Sequence, residues 1–199
     1  EDYARREEII ALLQRAMKSV ADYQDKASGV WFDVLDVDDS RNYLEATASS
    51  MFTYCMLKGW RLGYLDDTYR DTGIRAYKGL VKQFVKSNSD GTMSLTKCCS
   101  VSGLGPEDKP HRDGSFEYYI SEPIRDNDAK GIGPFIWASL EMEMMGFTIQ
   151  NLDTYEPAAV SSVIQNTPAT ASVYDLQGRK VKNQGRGIFI QNGRKFIRR

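Results

Sequence analysis

The sequence predicts a mainly α domain, with helices in an inner and an outer layer, followed by a small β tail. Three observations carry this expectation. Helices with a single apolar stripe alternate with one that is apolar or small on nearly every side. Charge divides the chain, with a net −8 over residues 1–171 and +7 over residues 172–199. An Asn192-Gly193 pair stands between the β-rich runs IFIQ and RKFI, the signal of a two-residue hairpin whose turn positions need positive φ.

The first helix opens the chain. Ile9, Leu13, Ala16, Met17, Val20 and Gln24 recur at spacings of three and four, with charges mostly elsewhere. DKASG ends it, and VWFDVLDV follows as a short extended piece. The second helix covers roughly 43–64, with Asn42 as its N-cap. From Ala46 to Leu57 it carries no charge, and Ala46, Ala48, Ser49 and Ser50 allow backbones to approach closely. An inner helix, flanked on both sides and backed by an outer helix, fits this composition. The central helix of any larger α domain fits it too.

A third helix is capped near Asp66 or Asp67 and striped by Ile74, Tyr77, Leu80, Val81 and Phe84, and its other face is basic. SNSDGTMSLT reads as a turn leading into a strand, and residues 97–130 as a long functional loop containing a strand at GSFEYYIS. A fourth helix is expected to start near Pro134, with Ile132, Phe135, Ile136, Ser139, Leu140 and Glu143 along one side. The domain expectation is a helical body over 1–154, a linker over 155–171 and a basic β-hairpin tail over 172–199.

Composition excludes little beyond a membrane span. With 41% hydrophobic and 27% charged residues, the 199-residue chain suits a water-exposed globular body. No run approaches the roughly 18 apolar residues that a spanning helix needs. The chain begins EDYARREEII, without an initiator Met or an apolar leader, and so reads as processed or trimmed. Cys55, Cys98 and Cys99 have no metal-ligand spacing, and the adjacent pair would bridge only with strain. No metal or cofactor is expected. A nucleic-acid partner would rest on the basic tail alone, which has no recognition motif and no spread of stacking aromatics.

SGVWFDVLD, NYLEATASSMFTYCMLKGWRLGYLD, CSVSGLG, HRDGSFEYYISEP and DNDAKGIGPFIWASLEME occur in this order. Together they resemble glycoside hydrolase family 105, the unsaturated rhamnogalacturonyl hydrolases, over roughly residues 1–147. The resemblance implies a partial (α/α)6 barrel of about four helices, the C-terminal part of such an enzyme. It implies an oligosaccharide partner, a lyase-generated pectin fragment, whose terminal uronic acid carries a C4–C5 double bond left by a polysaccharide lyase. It also implies an Asp that protonates that bond while water adds. That Asp and a Trp-x-Arg-Gly-x-Gly-Trp segment lie upstream in the family, and neither motif occurs in this sequence. VYDLQGRKV and GIFIQNGRKFIRR resemble C-terminal tails of exported Bacteroidetes proteins, which implies a periplasmic, cell-surface or secreted location.

Six residues are candidates for sugar binding, each with a competing structural role. Asn42, Tyr43 and Glu45, at the start of the second helix, either wall a cleft or cap the helix. Trp31 either stacks on a sugar or plugs the space between helices. Tyr119 faces away from Phe116, Tyr118 and Ile120 if that segment is a strand. Lys130, beside Gly131 and Gly133, either meets an anion or belongs to an ordinary helix start. His111 is expected to be exposed and non-catalytic, and Asp33, Asp36, Asp38 and Asp39 to form a solvated turn. No catalytic residue is assigned in this chain. A barrel of few helices also predicts self-association, or pairing with further barrel helices, over Met51, Phe52 and Cys55.

Overall fold

In a computed structural model, residues 3–105, 107, 110–147, 173–174, 180–181, 187–191 and 194–198 are described. The expected linker at 155–171 lies outside them. The chain divides into two compact units, Glu1–Tyr155 and Glu156–Arg199.

The first unit is mainly helical and has the layered arrangement of a partial (α/α)6 barrel. It contains α1 (Arg6–Asp22), α2 (Ala46–Arg61), α3 (Asp67–Phe84), α4 (Phe116–Ser121) and α5 (Ala129–Met144). Short antiparallel pairs join β1 (Val85–Ser87) to β2 (Met93–Leu95), and β3 (Cys98–Cys99) to β4 (Ile124–Arg125). Helix α2 packs most extensively against α5 and α3, and this explains its missing charges. Its hydroxyls are buried without loss of hydrogen bonding. Ser50 Oγ donates to Ala46 O at 2.7 Å, Thr53 Oγ1 donates to Ser49 O at 2.7 Å, and Ser49 Oγ accepts from Trp31 N at 3.1 Å. Around α2 close Val30, Trp31, Met56, Leu57, Leu80, Phe84 and Met142, all essentially sealed from solvent. Each such large side chain contributes about 1.5–3 kcal/mol by leaving water.

Helix α3 forms as its sequence predicts. Asp66 accepts from Thr68 N at 2.9 Å as N-cap, and Ile74, Tyr77, Leu80 and Phe84 are buried. At the far ends of α2 and α5, Arg61 grips the buried Glu141 with two hydrogen bonds, 2.5 Å from Nε to Oε2 and 2.8 Å from Nη2 to Oε1.

Four expectations are corrected. GSFEYYIS is not a strand: Phe116–Ser121 is α4, with Ser115 Oγ accepting from Tyr118 N at 3.2 Å. A segment of only six residues satisfies a helical or an alternating period equally well, and this cap decides it. The last helix starts at Ala129 with Asp128 as its cap, so Pro134 lies inside it, and the buried face holds Gly131, Pro134, Ala138, Glu141 and Met142. Ile136 and Leu140 lie outside that face, 51% and 45% exposed. On α1 only Met17 of the stripe is fully buried, and Ile9 is 54% exposed, because α2 and α3 contact this helix sparsely. Helix α2 starts at Ala46, and its cap is Glu45 rather than Asn42.

In the second unit, β5 (Val173–Tyr174), β6 (Lys180–Val181), β7 (Gly187–Gln191) and β8 (Arg194–Arg198) form an antiparallel sheet in the order β6-β5-β7-β8. Gln191 pairs with Arg194, the register of a two-residue hairpin.

Candidate functional site

The candidate residues at 31–45 are brought together by a two-rung antiparallel contact. Asp33 N donates to Tyr43 O at 2.8 Å and Glu45 N donates to Trp31 O at 2.9 Å, which flank the Phe32–Leu44 bridge. Pleating places residues 31, 33, 43 and 45 on one side of this ladder.

Glu45 is 2% exposed, yet both carboxylate oxygens are satisfied. Oε1 accepts from Thr47 N at 2.8 Å and from Cys99 N at 2.7 Å, and Oε2 accepts from Ala48 N at 2.6 Å. The charge thus rests on the positive end of α2 and ties it to β3. Asn42 closes the preceding loop. Its Oδ1 accepts from Val34 N at 3.2 Å, and its Nδ2 donates to Val34 O at 2.7 Å and Val37 O at 2.9 Å.

The starts of α2 and α5 adjoin. A Cβ on Gly131 would lie 2.6 Å from Cys98 Sγ and 3.1 Å from Thr47 Oγ1, so close packing of the two helix ends requires glycine there. Asp128 caps α5 by accepting from Lys130 N at 2.9 Å, and it also pairs with Lys130 Nζ at 2.7 Å. Lys130 remains exposed at this end.

Asp33 and Tyr43 hold the unusual chemistry of the rim. Asp33 Oδ2 and the Tyr43 hydroxyl are buried and adjoin each other, and neither makes a hydrogen bond of good geometry to a described residue. Burial, then the Glu45 charge, pushes the Asp33 carboxyl up to about 6, against a pull downward from the adjoining phenol. Burial and the Asp33 charge likewise push the Tyr43 phenol well above its ordinary range. Two groups that resist ionisation, with unmet hydrogen-bonding capacity, suit neutral hydroxyls of a ligand.

Of the six candidates, Trp31, Asn42, Tyr43 and Glu45 meet at this ladder, and Lys130 stands at the neighbouring helix start. Trp31 is fully enclosed: Nε1 donates to Val20 O at 2.7 Å and the ring packs edge-on against Phe52. As placed it plugs the core and offers no face to a sugar. Tyr119 is half-buried on α4 with its ring 5.2 Å from Tyr118, the residue that enters the interior. His111 is exposed.

Two residues escaped the sequence reading. Asp33 sits among acids that suggest a solvated turn; Asp36 and Asp38 are exposed, but Asp33 is half-buried because the ladder turns it inward. Arg41 joins the turn before the ladder to α4, donating to Glu117 at 2.9 and 3.0 Å while pairing with Asp39 at 2.8 Å. That pairing holds the Asp39 carboxyl down at about 2. Only the separation of 76 positions hid the Arg41–Glu117 contact.

No group of three or more His, Cys, Asp or Glu among the described residues is placed to hold a metal. Cys55, Cys98 and Cys99 are free thiols, and burial pushes all three up. No helix of the described residues is long and apolar enough to cross a membrane.

The sequence pattern of Glycosyl Hydrolase Family 88 matches residues 1–146. A protein of Agrobacterium fabrum is 37% identical over 119 residues, 57% of this chain and 51% of that protein. A 24.9 kDa protein in the picA locus of Rhizobium radiobacter matches with the same identity and coverage. The chain therefore spans about half the length of these curated relatives. Among solved structures it is similar to a family 105 glycoside hydrolase from C. acetobutylicum, at 48% identity and a TM-score of 0.68, over 72% of this chain and 39% of that one. A possible family 105 member from Salmonella enterica matches at 25% identity and a TM-score of 0.59, over 73% of this chain and 34% of that one.

Proposed function

Because the chain belongs to Glycosyl Hydrolase Family 88, we propose that it is the C-terminal part of an unsaturated rhamnogalacturonyl or uronyl hydrolase acting on lyase-generated pectin oligosaccharides. The observation that carries this reading is the rim where α2 and α5 start together, with the unmet polar atoms of Asp33 and Tyr43 beside it. Asn42 and Glu45 hold the ladder, Tyr43 and Asp33 meet sugar hydroxyls, and exposed Lys130 faces the uronate carboxylate. Trp31 backs the wall, and Tyr119 flanks it from α4.

In the reaction, a proton is delivered to the C4–C5 double bond while water adds. The hemiketal then rearranges and releases the sugar. The acid–base Asp comes from outside this chain, so the paired-carboxylate spacing of ordinary glycosidases does not apply. No cofactor takes part. An exported location follows if the C-terminal tail is of the Bacteroidetes type.

The apolar face formed by α2 and α5 supports a companion for the body. Met51, Trp137, Leu140 and Met144 are 43%, 52%, 45% and 62% exposed, and the Trp137 ring lies tilted against Tyr54 of α2, 5.3 Å between centroids. A second copy, or the helices that complete the barrel in its solved relatives, would cover this face together with half-buried Phe52 and Cys55. Light scattering is expected to show self-association of the chain by itself, and a monodisperse monomer would contradict it.

Calorimetric titration with an unsaturated rhamnogalacturonan disaccharide tests the rim. Binding is expected to weaken in Asp33→Asn and Tyr43→Phe, and unaltered affinity in both would sink the reading. The ultraviolet absorbance of the double bond is expected to persist with this chain alone. A second reading is a non-catalytic carbohydrate-binding or interaction module of an exported protein. That reading gains if the disaccharide binds and joining the relatives' upstream segment restores no turnover.

A further inference from the structure

The basic face of α3 is part of a groove that the rim does not use. Arg75, Lys78 and Lys82 recur at spacings of three and four, which puts them on one side of the helix. With Lys26, from the turn after α1, they line an open groove of about 470 Å³. Among the described residues, no carboxylate and no aromatic ring lines it. Such a concentration of cations stands out in a body whose residues 1–171 carry a net charge of −8.

The groove is assembled around one arginine. Gln24 is buried, and its Nε2 donates to Gly29 O at 2.7 Å and Thr72 O at 3.1 Å, which fixes the amide. Its Oε1 then accepts from Arg75 Nε at 2.8 Å and also from Nη2. A neutral amide thus positions the guanidinium without cancelling its charge, as a structural ion pair would. The floor is backbone, since a Cβ on Gly79 would collide with the Ser28 carbonyl oxygen. Gly29 makes the turn above it at a φ of 78°. Lys26 and Lys82 are exposed and have no ion pair or hydrogen bond to a described residue.

We propose that this groove binds the carboxylate-bearing run of an acidic polysaccharide, by residues separate from those of the rim. From Arg75 to Lys82 the helix rises roughly 10 Å, which suits an extended anion with carboxylates at successive sugars. With no aromatic ring among the described lining residues, nucleic-acid bases find nothing to stack on, whereas carboxylates need only the cations along the helix. The choice of polyanion rests on the uronyl-substrate reading given above.

The test is a calorimetric titration of the whole chain with a saturated oligogalacturonate, its fully methyl-esterified form and a single-stranded DNA of equal charge. The acid oligomer is expected to bind, to weaken with added salt, and to lose affinity on the order of tenfold in the Lys26→Glu/Lys82→Glu variant at an unchanged melting temperature. The esterified form is expected not to bind, and the DNA to bind more weakly. Absence of binding, wild-type affinity in the double variant, equal binding of the esterified form or tighter binding of the DNA would each overturn the proposal. The saturated oligomer has no double bond to hydrate, so such a failure leaves the rim reading standing. Loss of the rim effect with the unsaturated disaccharide defeats that reading instead.

Discussion

Removing the Glu45 carboxylate tests whether this side chain chiefly holds the fold or chiefly meets a ligand. Glu45→Ala strips the acceptor from three backbone N–H groups, those of Thr47, Ala48 and Cys99. The first two stand in the opening turn of α2, where losing a cap costs about 1 kcal/mol. The third belongs to β3, where Cys99 is 8% exposed, and an orphaned buried donor costs about 1–3 kcal/mol. Because the acceptor is charged, each bond lies at the strong end of its range. The sum is about 3 kcal/mol, a large fraction of the 5–15 kcal/mol that typically separates folded from unfolded states. Glu45→Gln keeps one oxygen that can serve two of the donors, and its expected cost is roughly half. Urea unfolding followed by tryptophan fluorescence and far-ultraviolet circular dichroism measures both. A Glu45→Ala loss below about 0.5 kcal/mol would refute the capping argument, and if sugar binding disappeared in the same variant, Glu45 would be a ligand-binding residue first.

Three further outcomes follow from the same contacts. The folded-state pKa of Asp33 is raised, so its stabilising contribution is complete below about pH 4 and is lost as pH rises through about 6. Asp33→Asn should therefore flatten the stability profile across that interval and stabilise the fold at pH 7, and a parallel profile would count against the burial argument. Arg61→Ala leaves Glu141 buried without its cation, and unfolding should become easier by about 2–4 kcal/mol, less than for a fully buried pair because Arg61 is 33% exposed. Urea midpoints within error of wild type would show that water replaces Arg61 freely. Gly79→Ala drives a methyl into the Ser28 carbonyl, with an expected cost of about 1–3 kcal/mol and a displaced 26–29 turn visible in amide chemical shifts.

Much of the architecture is legible in short-range pattern. The Asp66 cap and the stripe of α3 are set within a few turns of one helix, and the tail hairpin register follows from two residues between β-rich runs. The chargeless stretch of α2 announces burial on most sides, since a solvated face would need polar side chains. What such patterns leave open is which of several adequate local partners wins. Asn42 and Glu45 are both chemically fit to cap α2. Glu45 is the cap because Cys99 N, 54 positions away, reaches its carboxylate, while Val34 and Val37 hold Asn42 in the preceding loop. FEYYIS is equally adequate as strand or helix, and Arg41 docks on the helical form through Glu117. The character of Asp33 arises in the same way: among neighbouring acids it alone pairs across the ladder with Tyr43, and that pairing carries its carboxyl out of water. Periodicity reports how a segment meets its own next turn, whereas burial, capping and pKa depend on groups tens of residues away. Their position is fixed only when the chain has closed on itself.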